Sequence, residues 1–276
     1  MRAALVQLTS SDDPAANLPT TINYIKNAAE AGAQFILTPE VTNCVSSTRD
    51  RQNAVLQHEG EDQTLAALCQ QAAALNVWIL IGSLALKTDD PDGRFANRSF
   101  LIAPDGSIKA RYDKIHMFDV AVSETETYRE SAGYRPGTKS TVIDTEIGTI
   151  GMTVCYDVRF PYLYRALAKA GAQILTVPAA FSSVTGAAHW ETLLRARAIE
   201  TGCFVLAPAQ TGTHALFDGK VRKTYGHSLA VAPWGEILAD GGTEPGVTLV
   251  DLDLADVDVA RERIPSLSHD RTFEGP

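Results

Sequence analysis

Three side chains that could carry out nucleophilic and acid–base chemistry follow apolar strand patterns at widely separated points of the chain. Cys155 ends the strand pattern GMTVC and precedes a helical pattern that begins near Phe160. Because ligands of α/β folds bind beyond the carboxyl ends of strands, and the positive end of a following helix favours the thiolate, this position suits a nucleophile. A buried structural cysteine is the alternative, since free cysteine is among the most buried residue types.

Two charged residues stand at comparable strand ends. Glu40 closes the strand pattern QFILTPE, where poor solvation should raise the pKa of its carboxyl group and suit it to act as a general base near neutral pH. Lys114 follows the strand pattern SIKARY, and a fixed ammonium at that point could stabilise an oxyanion. Glu130 lies in a long segment without clear periodicity. Taken singly, each of these three residues is better interpreted as an ordinary solvated charge.

Ser228 offers a rival nucleophile. The segment GHSLA departs by one residue from the GxSxG serine elbow. The residues that follow Ser228, LAVAPWG, have the pattern of a strand and a turn, whereas a serine elbow leads into a helix. The serine hydrolase interpretation is therefore disfavoured.

The other cysteines and the histidines predict neither a metal site nor a redox pair. Cys44, Cys69 and Cys203 form no CxxC pair, and the last two fall in apolar patterns typical of core residues. His189 and His227 each stand without a second histidine at ligand spacing. We expect no metal and no cofactor.

Helices alternate with strands along the chain, and one strand–helix–strand unit occurs twice. The segments EAGAQFILTP at 30–39 and KAGAQILTVP at 169–178 share a helix end, an apolar strand and a closing proline, which indicates two related halves. Strands such as WILIG and FVLAP are apolar throughout, so both of their faces must be covered. We therefore expect an α/β fold, a four-layer α-β-β-α sandwich that forms a single domain over residues 1–276. A single doubly wound sheet is the alternative.

Charge and hydropathy exclude several classes of function. The net charge is -9 without a cluster of Lys and Arg, so the sequence predicts no binding to nucleic acid or to an anionic membrane. No run of about 18 apolar residues could span a bilayer, and the chain begins with a strand pattern instead of a signal peptide, so we expect a cytoplasmic protein. Residues 118–140 form a long irregular stretch, which in a compact domain is usually functional or disordered.

Three motifs, in this order, resemble those of the nitrilase superfamily of carbon–nitrogen hydrolases. They are LTPEVTN around Glu40, YDKIHMFDV around Lys114 and GMTVCYDVRFPYLYR around Cys155, and the similarity extends over nearly the whole chain. The resemblance implies a Glu–Lys–Cys triad on an α-β-β-α sandwich, with Glu130 in TYRES as a second glutamate. It also implies a homodimer or a larger homo-oligomer, formed through a face of the sandwich.

Within the superfamily, the chain most resembles the branch that holds deaminated glutathione amidases and omega-amidases, through AAFSSVTGAAHWETLLRARAIET and YGHSLAVAPWGEIL. This resemblance implies hydrolysis of the terminal amide of a small α-keto acid, deaminated glutathione first and α-ketoglutaramate second. The reaction would pass through a thioester on Cys155 and release ammonia or an amine. Lys114 and the backbone N–H of Tyr156 would hold the oxyanion.

Three further residues are candidates for substrate binding. Arg159 could bind a substrate carboxylate, although a salt bridge that braces the turn after the nucleophile is an equal alternative. Phe181 and Thr185, in AAFSSVTG, are expected to line the pocket. The segment THALFDGKVRKT at 213–224 departs from the pattern of this branch, which connects this segment with substrate selection.

Two other classes of function stay open. A hydrolase of N-carbamoyl amino acids or of simple aliphatic amides would keep the same three motifs. A non-catalytic scaffold that binds a metabolite or a partner protein would keep the fold. The three motif residues argue against the scaffold, because a binding module does not require a thiol, a base and a cation at three strand ends.

Overall fold

The computed structural model describes residues 1–46, 48–122, 127–217, 219 and 221–275. In chain order, its strands are β1 (Arg2–Gln7), β2 (Phe35–Leu37), β3 (Trp78–Leu86), β4 (Ala96–Ile102), β5 (Ile108–Asp113), β6 (Asp119–Ala121), β7 (Thr127–Arg129), β8 (Thr141–Ile143), β9 (Ile150–Met152), β10 (Ile174–Thr176), β11 (Phe204–Ala207), β12 (Thr211–Ala215), β13 (Val221–Tyr225), β14 (Leu229–Val231), β15 (Ile237–Asp240) and β16 (Gly246–Asp251). Its α-helices are α1 (Pro14–Glu30), α2 (Arg49–Val55), α3 (Gln63–Leu75), α4 (Pro161–Lys169), α5 (Ser183–Thr201) and α6 (Ala255–Arg263).

Two six-stranded sheets have the same internal order. The first runs β16-β1-β2-β3-β4-β5 and the second β8-β9-β10-β11-β14-β15. Strands β1, β2 and β3 are parallel to one another in the first sheet, as are β9, β10 and β11 in the second. All of the other neighbouring pairs in the two sheets are antiparallel. The two similar decapeptides of the sequence place β2 and β10 at equivalent positions, which confirms the prediction of two related halves.

The side chains of β1 show how the layers are arranged. Because successive side chains of a strand point to opposite faces, Ala4 and Val6 pack against α1 and α3, while Ala3 and Leu5 face the second sheet. The outer face of the second sheet is covered by α4 and α5, whose buried residues join the same core as the inner faces. The four-layer sandwich is therefore confirmed, and the single doubly wound sheet is excluded.

The helix ends agree with the local sequence. At the start of α1, the Asp13 side chain accepts a hydrogen bond from the Ala15 N–H, and Pro14 occupies the first turn, so the helix begins before the predicted NLPTT segment. It ends near Gly32, whose φ of +85° is a left-handed conformation that favours glycine. Pro161 begins α4 as predicted.

Two short ribbons were not predicted. Within residues 118–140, β6 and β7 pair in antiparallel fashion, and residues 123–126 of that stretch lie outside the described part of the chain. A second ribbon joins β12 to β13. Among the described residues, the helices are too short or too polar to cross a membrane.

Candidate active site

The three predicted strand-end residues meet on the wall of one cavity of about 770 Å³. Glu40 follows β2, Lys114 follows β5 and Cys155 follows β9, so both sheets contribute to the site. All three side chains are buried. Glu130, which begins a short 3₁₀ turn after β7, joins them from the segment that the sequence analysis singled out.

Lys114 is the centre of the charge cluster. Its Nζ donates a hydrogen bond of 2.9 Å to Glu40 Oε1 and bonds of 2.9 Å to both carboxylate oxygens of Glu130. Burial alone would lower the pKa of Lys114, but the charges of Glu130 and Glu40 outweigh it and raise that pKa well above its ordinary value. Lys114 is therefore a permanent cation in the cavity wall.

Glu40 is held by donors on both carboxylate oxygens. Oε1 also accepts from Asn97 Nδ2 at 2.9 Å, and Oε2 accepts from the Ala180 N–H at 2.8 Å. Burial acts to raise the pKa of Glu40, but the Lys114 charge and the hydrogen bonds from Lys114 and Ala180 outweigh it and lower the pKa. The prediction of a raised pKa was therefore wrong, because local sequence carries no trace of these donors.

Cys155 lies at a strained turn, as the strand–turn–helix pattern predicted. Its φ of +49° is left-handed, and its N–H donates to Pro178 O at 2.9 Å. A 3₁₀ turn, Cys155–Arg159, separates it from α4. Burial and the nearby Glu40 charge raise the pKa of the Cys155 thiol well above its ordinary value, so the thiol is protonated near neutral pH, whereas the sequence analysis expected a thiolate.

Asp157, two residues after the thiol, fixes this turn. Its buried carboxylate accepts hydrogen bonds from the Val154 N–H at 2.9 Å, the Tyr112 hydroxyl at 2.7 Å, and both the N–H and the ring Nδ1 of His116, at 3.0 and 2.6 Å. The turn that carries Cys155 is thus tied to β5 and to the segment that follows Lys114.

Replacing Asp157 with alanine is expected to lower the free energy of unfolding by about 3 kcal/mol or more, because several buried donors would lose their acceptor. Urea denaturation measures this loss. Asp89→Ala is the matched control, since that carboxylate is fully exposed and its removal should change stability by less than about 0.5 kcal/mol. Equal stability of the two variants would contradict the bracing role of Asp157.

The residues predicted to bind the oxyanion and the substrate lie in or beside the cavity. Tyr156, Phe181 and Thr185 line it. Among the described residues, no backbone carbonyl accepts a hydrogen bond from the Tyr156 N–H, and the buried Thr185 hydroxyl has no partner. Arg159 is absent from the described wall; its guanidinium lies 5.9 Å from the ring centre of Tyr156 and 5.5 Å from that of Phe181.

Sequence reasoning missed Asn97 and Asp157, although Asp157 stands inside the quoted GMTVCYDVRFPYLYR motif. The rival nucleophile Ser228 is fully buried, and its hydroxyl oxygen accepts from the Ala209 N–H at 2.9 Å, as a structural residue would. In the described part of the chain, no group of three or more His, Cys, Asp or Glu side chains could hold a metal ion.

Comparisons with known proteins identify the family of this chain. The carbon-nitrogen hydrolase family model matches residues 2–262. A deaminated glutathione amidase from Yersinia enterocolitica is 40% identical over 269 residues, which cover 97% of this chain and 92% of that protein. The NitFhit fusion protein of Caenorhabditis elegans superimposes with a TM-score of 0.89 at 36% identity, over 98% of this chain and 65% of that chain.

A third relative is an amidase from Nesterenkonia sp. AN1, solved with acrylamide added to its active site cysteine. It superimposes with a TM-score of 0.77 at 28% identity, over 96% of this chain and 98% of that chain. The family match over nearly the whole chain and the matching fold lead to one conclusion. The chain belongs to the carbon–nitrogen hydrolase family of the nitrilase superfamily and is a hydrolase of carbon–nitrogen bonds.

Proposed function

We propose that the protein is an amidase in which Cys155 is the nucleophile, Glu40 the general base and acid, and Lys114 the oxyanion-stabilising cation. The observation that carries this proposal is the convergence of Cys155 and Glu40 on one cavity wall, beside a buried Lys114 that donates a hydrogen bond of 2.9 Å to Glu40. A carboxylate with a lowered pKa and a neutral thiol form a pair in which the proton moves only as the nucleophile attacks.

In the first half of the reaction, Glu40 takes the thiol proton as Sγ bonds to the amide carbonyl carbon. The negative charge that develops on the carbonyl oxygen is held by Lys114 Nζ and the Tyr156 N–H. Glu40 then gives its proton to the leaving nitrogen, the C–N bond breaks, and an amine or ammonia departs. A thioester with Cys155 remains.

In the second half, Glu40 takes a proton from water as the water oxygen attacks the thioester carbon. The same two donors hold the second oxyanion. The C–S bond breaks, the Cys155 sulfur regains the proton from Glu40, and the free acid leaves. Glu130 keeps Lys114 in place throughout by its two hydrogen bonds and by accepting from the Phe118 N–H at 2.6 Å.

For the substrate we favour the amide of a small α-keto acid, with deaminated glutathione first and α-ketoglutaramate second. Deaminated glutathione amidase is the name of the relative from Yersinia enterocolitica, and a cavity of about 770 Å³ has room for a tripeptide-sized molecule. Phe181 and Thr185 would contact the substrate, and Arg159 would act through the rings that it covers. The homodimer and the cytoplasmic location stay predictions.

Product release from a substrate panel tests this proposal. The panel consists of deaminated glutathione, α-ketoglutaramate, N-carbamoyl-β-alanine and butyramide, with formation of the free acid followed for each compound. We expect the highest kcat/KM for deaminated glutathione. Turnover of N-carbamoyl-β-alanine alone would show that the substrate belongs to the N-carbamoyl amino acids instead. Absence of turnover on every compound would overturn the amidase proposal for these substrates.

A further inference from the structure

The charges on the cavity wall divide into two groups. Glu40, Glu130 and Lys114 belong to the reactive cluster and largely offset one another. All of the other charged residues on the described wall are cations: Arg49, Arg129, Arg222 and Lys223. In a chain with a net charge of -9, this local excess of positive charge indicates an anionic ligand.

Arg222 differs from the other cations in its environment. The Arg49 guanidinium already donates to Ala132 O at 2.9 Å and to Asp92 O at 3.2 Å. Arg129 and Lys223 are exposed, so water satisfies them, whereas Arg222 is half-buried. Within the part of the chain that the structure describes, the Arg222 side chain forms neither a hydrogen bond nor an ion pair. A partly desolvated cation without a counter-charge is unfavourable unless a ligand supplies one.

The backbone beneath Arg222 is firmly held. Arg222 on β13 is paired with His214 on β12, and the buried His214 ring donates to Ser10 O from Nδ1 and accepts from the Thr224 hydroxyl at Nε2, both at 2.7 Å. Burial, and then the Arg222 charge, lower the pKa of His214 to about 4, so its imidazole is neutral near pH 7. At the end of β13, the Tyr225 N–H donates to Phe181 O at 3.0 Å. The ribbon therefore holds Arg222 at a fixed place on the wall.

Tyr134 supplies a second donor on the same wall. Its hydroxyl oxygen accepts from Gln52 Nε2 at 2.7 Å, and no described residue accepts its proton. Burial and the nearby Cys44 and Glu130 raise the pKa of Tyr134, whereas the Arg222 charge opposes them. The phenol is therefore a neutral donor on the same cavity wall as Arg222. A guanidinium and a hydroxyl are the groups that bind a carboxylate.

We infer that Arg222, assisted by the Tyr134 hydroxyl, binds a substrate carboxylate remote from the amide that is cleaved, and so makes this enzyme selective for carboxylate-bearing amides. The inference rests on the proposed amidase function. It assigns substrate selection to the β12–β13 ribbon, within the segment 213–224 that the sequence analysis connected with substrate selection.

The test compares kcat/KM for three amides: deaminated glutathione with two carboxylates, α-ketoglutaramate with one, and butyramide with none. Arg222→Ala is expected to lower kcat/KM roughly 10- to 100-fold for at least one carboxylate-bearing amide, as for loss of a charged hydrogen bond. Butyramide hydrolysis should change less than about twofold. Arg222→Lys should recover part of the loss. Lys223→Ala, which removes the same charge from the next position of β13, should have a smaller effect than Arg222→Ala.

A loss on deaminated glutathione alone supports binding of the carboxylate on the leaving amine, and a loss on both acids supports binding of the keto acid carboxylate. An equal loss on all three amides, or no loss on any, overturns the inference. Calorimetric binding of deaminated glutathione to Cys155→Ala, with and without Arg222→Ala, separates binding from chemistry. If the wild-type enzyme hydrolyses none of the amides, the proposed function fails; if it hydrolyses them and Arg222→Ala shows no selectivity, only the inference fails.

Discussion

Cys155→Ala is expected to lower kcat for deaminated glutathione on the order of 10⁴- to 10⁶-fold, since loss of the nucleophile of a catalytic triad has an effect of this size. The change removes a single sulfur at the cavity wall, so unfolding by urea should occur at nearly the wild-type concentration. Cys69→Ala is the matched control, because this half-buried thiol lies on α3, in a different layer from the cavity. Retention of wild-type activity by Cys155→Ala would exclude this residue as the nucleophile.

Iodoacetamide labelling checks the same assignment without a substrate. Cys44 and Cys155 both line the cavity, and both thiols are protonated at neutral pH; burial and the Asp12 charge raise the pKa of Cys44 to about 12. The Glu40 charge acts on the Cys155 thiol, and the proposed mechanism makes Glu40 the base that accepts its proton. We therefore expect alkylation at Cys155 first, and slower alkylation there in Glu40→Gln. Faster labelling of Cys44 would contradict the role of Glu40 as a base.

The fold could be predicted from the sequence because its signals are local and repeated. Apolar strands, helix ends at Gly32 and Gly171, and the two AGAQ decapeptides all act within about ten residues, and together they indicate two similar halves. The strand ends were less well predicted. The pattern QFILTPE predicted a strand that continues beyond Leu37. In the structure, β2 ends at Leu37, since Pro39 has no N–H to continue the ladder.

The site could be predicted only in part. Position at a strand end made Cys155, Glu40 and Lys114 candidates one at a time, but their convergence came from the family resemblance and not from spacing. Lys114 and Glu40 are 74 residues apart in the chain and meet across the first sheet. The error in the pKa of Glu40 has the same origin, since its burial could be inferred from the sequence and its donors could not.

Arg222 was not among the candidates for substrate binding that the sequence offered. The β12–β13 ribbon is short and polar, without the apolar alternation that marks a half-buried strand, so Arg222 was not considered. Arg159 was chosen for its nearness to Cys155 in the chain. In the structure, the pairing of β13 with β12 and its bonds to the segment before α5 place Arg222 on the cavity wall.

Lys114→Met is expected to affect stability and catalysis together. The change leaves the Glu40 and Glu130 carboxylates facing each other around Asn97 without a cation, which should lower the free energy of unfolding at pH 7 by about 3–5 kcal/mol. Loss of an oxyanion donor should lower kcat at least about 10²-fold to 10³-fold. Lys109→Met is the matched control on β5, the strand that Lys114 follows, because Lys109 is exposed and its removal should change stability by less than about 0.5 kcal/mol.

The pH dependence of stability gives this prediction its sharpest form. In the wild-type protein the pKa of Glu40 is lowered by Lys114, so its stabilising contribution is present above the unfolded-state pKa of about 4.3 and is lost as pH falls through the folded-state pKa. In Lys114→Met, burial and mutual repulsion should raise the pKa of one carboxyl group. That group stabilises the fold at low pH, and its contribution is lost as pH rises through the raised pKa.

The free energies of unfolding of the wild type and Lys114→Met should therefore become more similar as the pH falls. Between pH 7 and pH 5, the difference in the free energy of unfolding between the wild type and Lys114→Met is expected to shrink, while Lys109→Met should follow the wild type at every pH. Urea denaturation across this range measures both differences. If this difference in the free energy of unfolding stays constant across the pH range, the variant has lost packing and not charge compensation. Lys114 would then have no role in fixing the ionisation of Glu40. The proposed proton transfer from Cys155 depends on that ionisation.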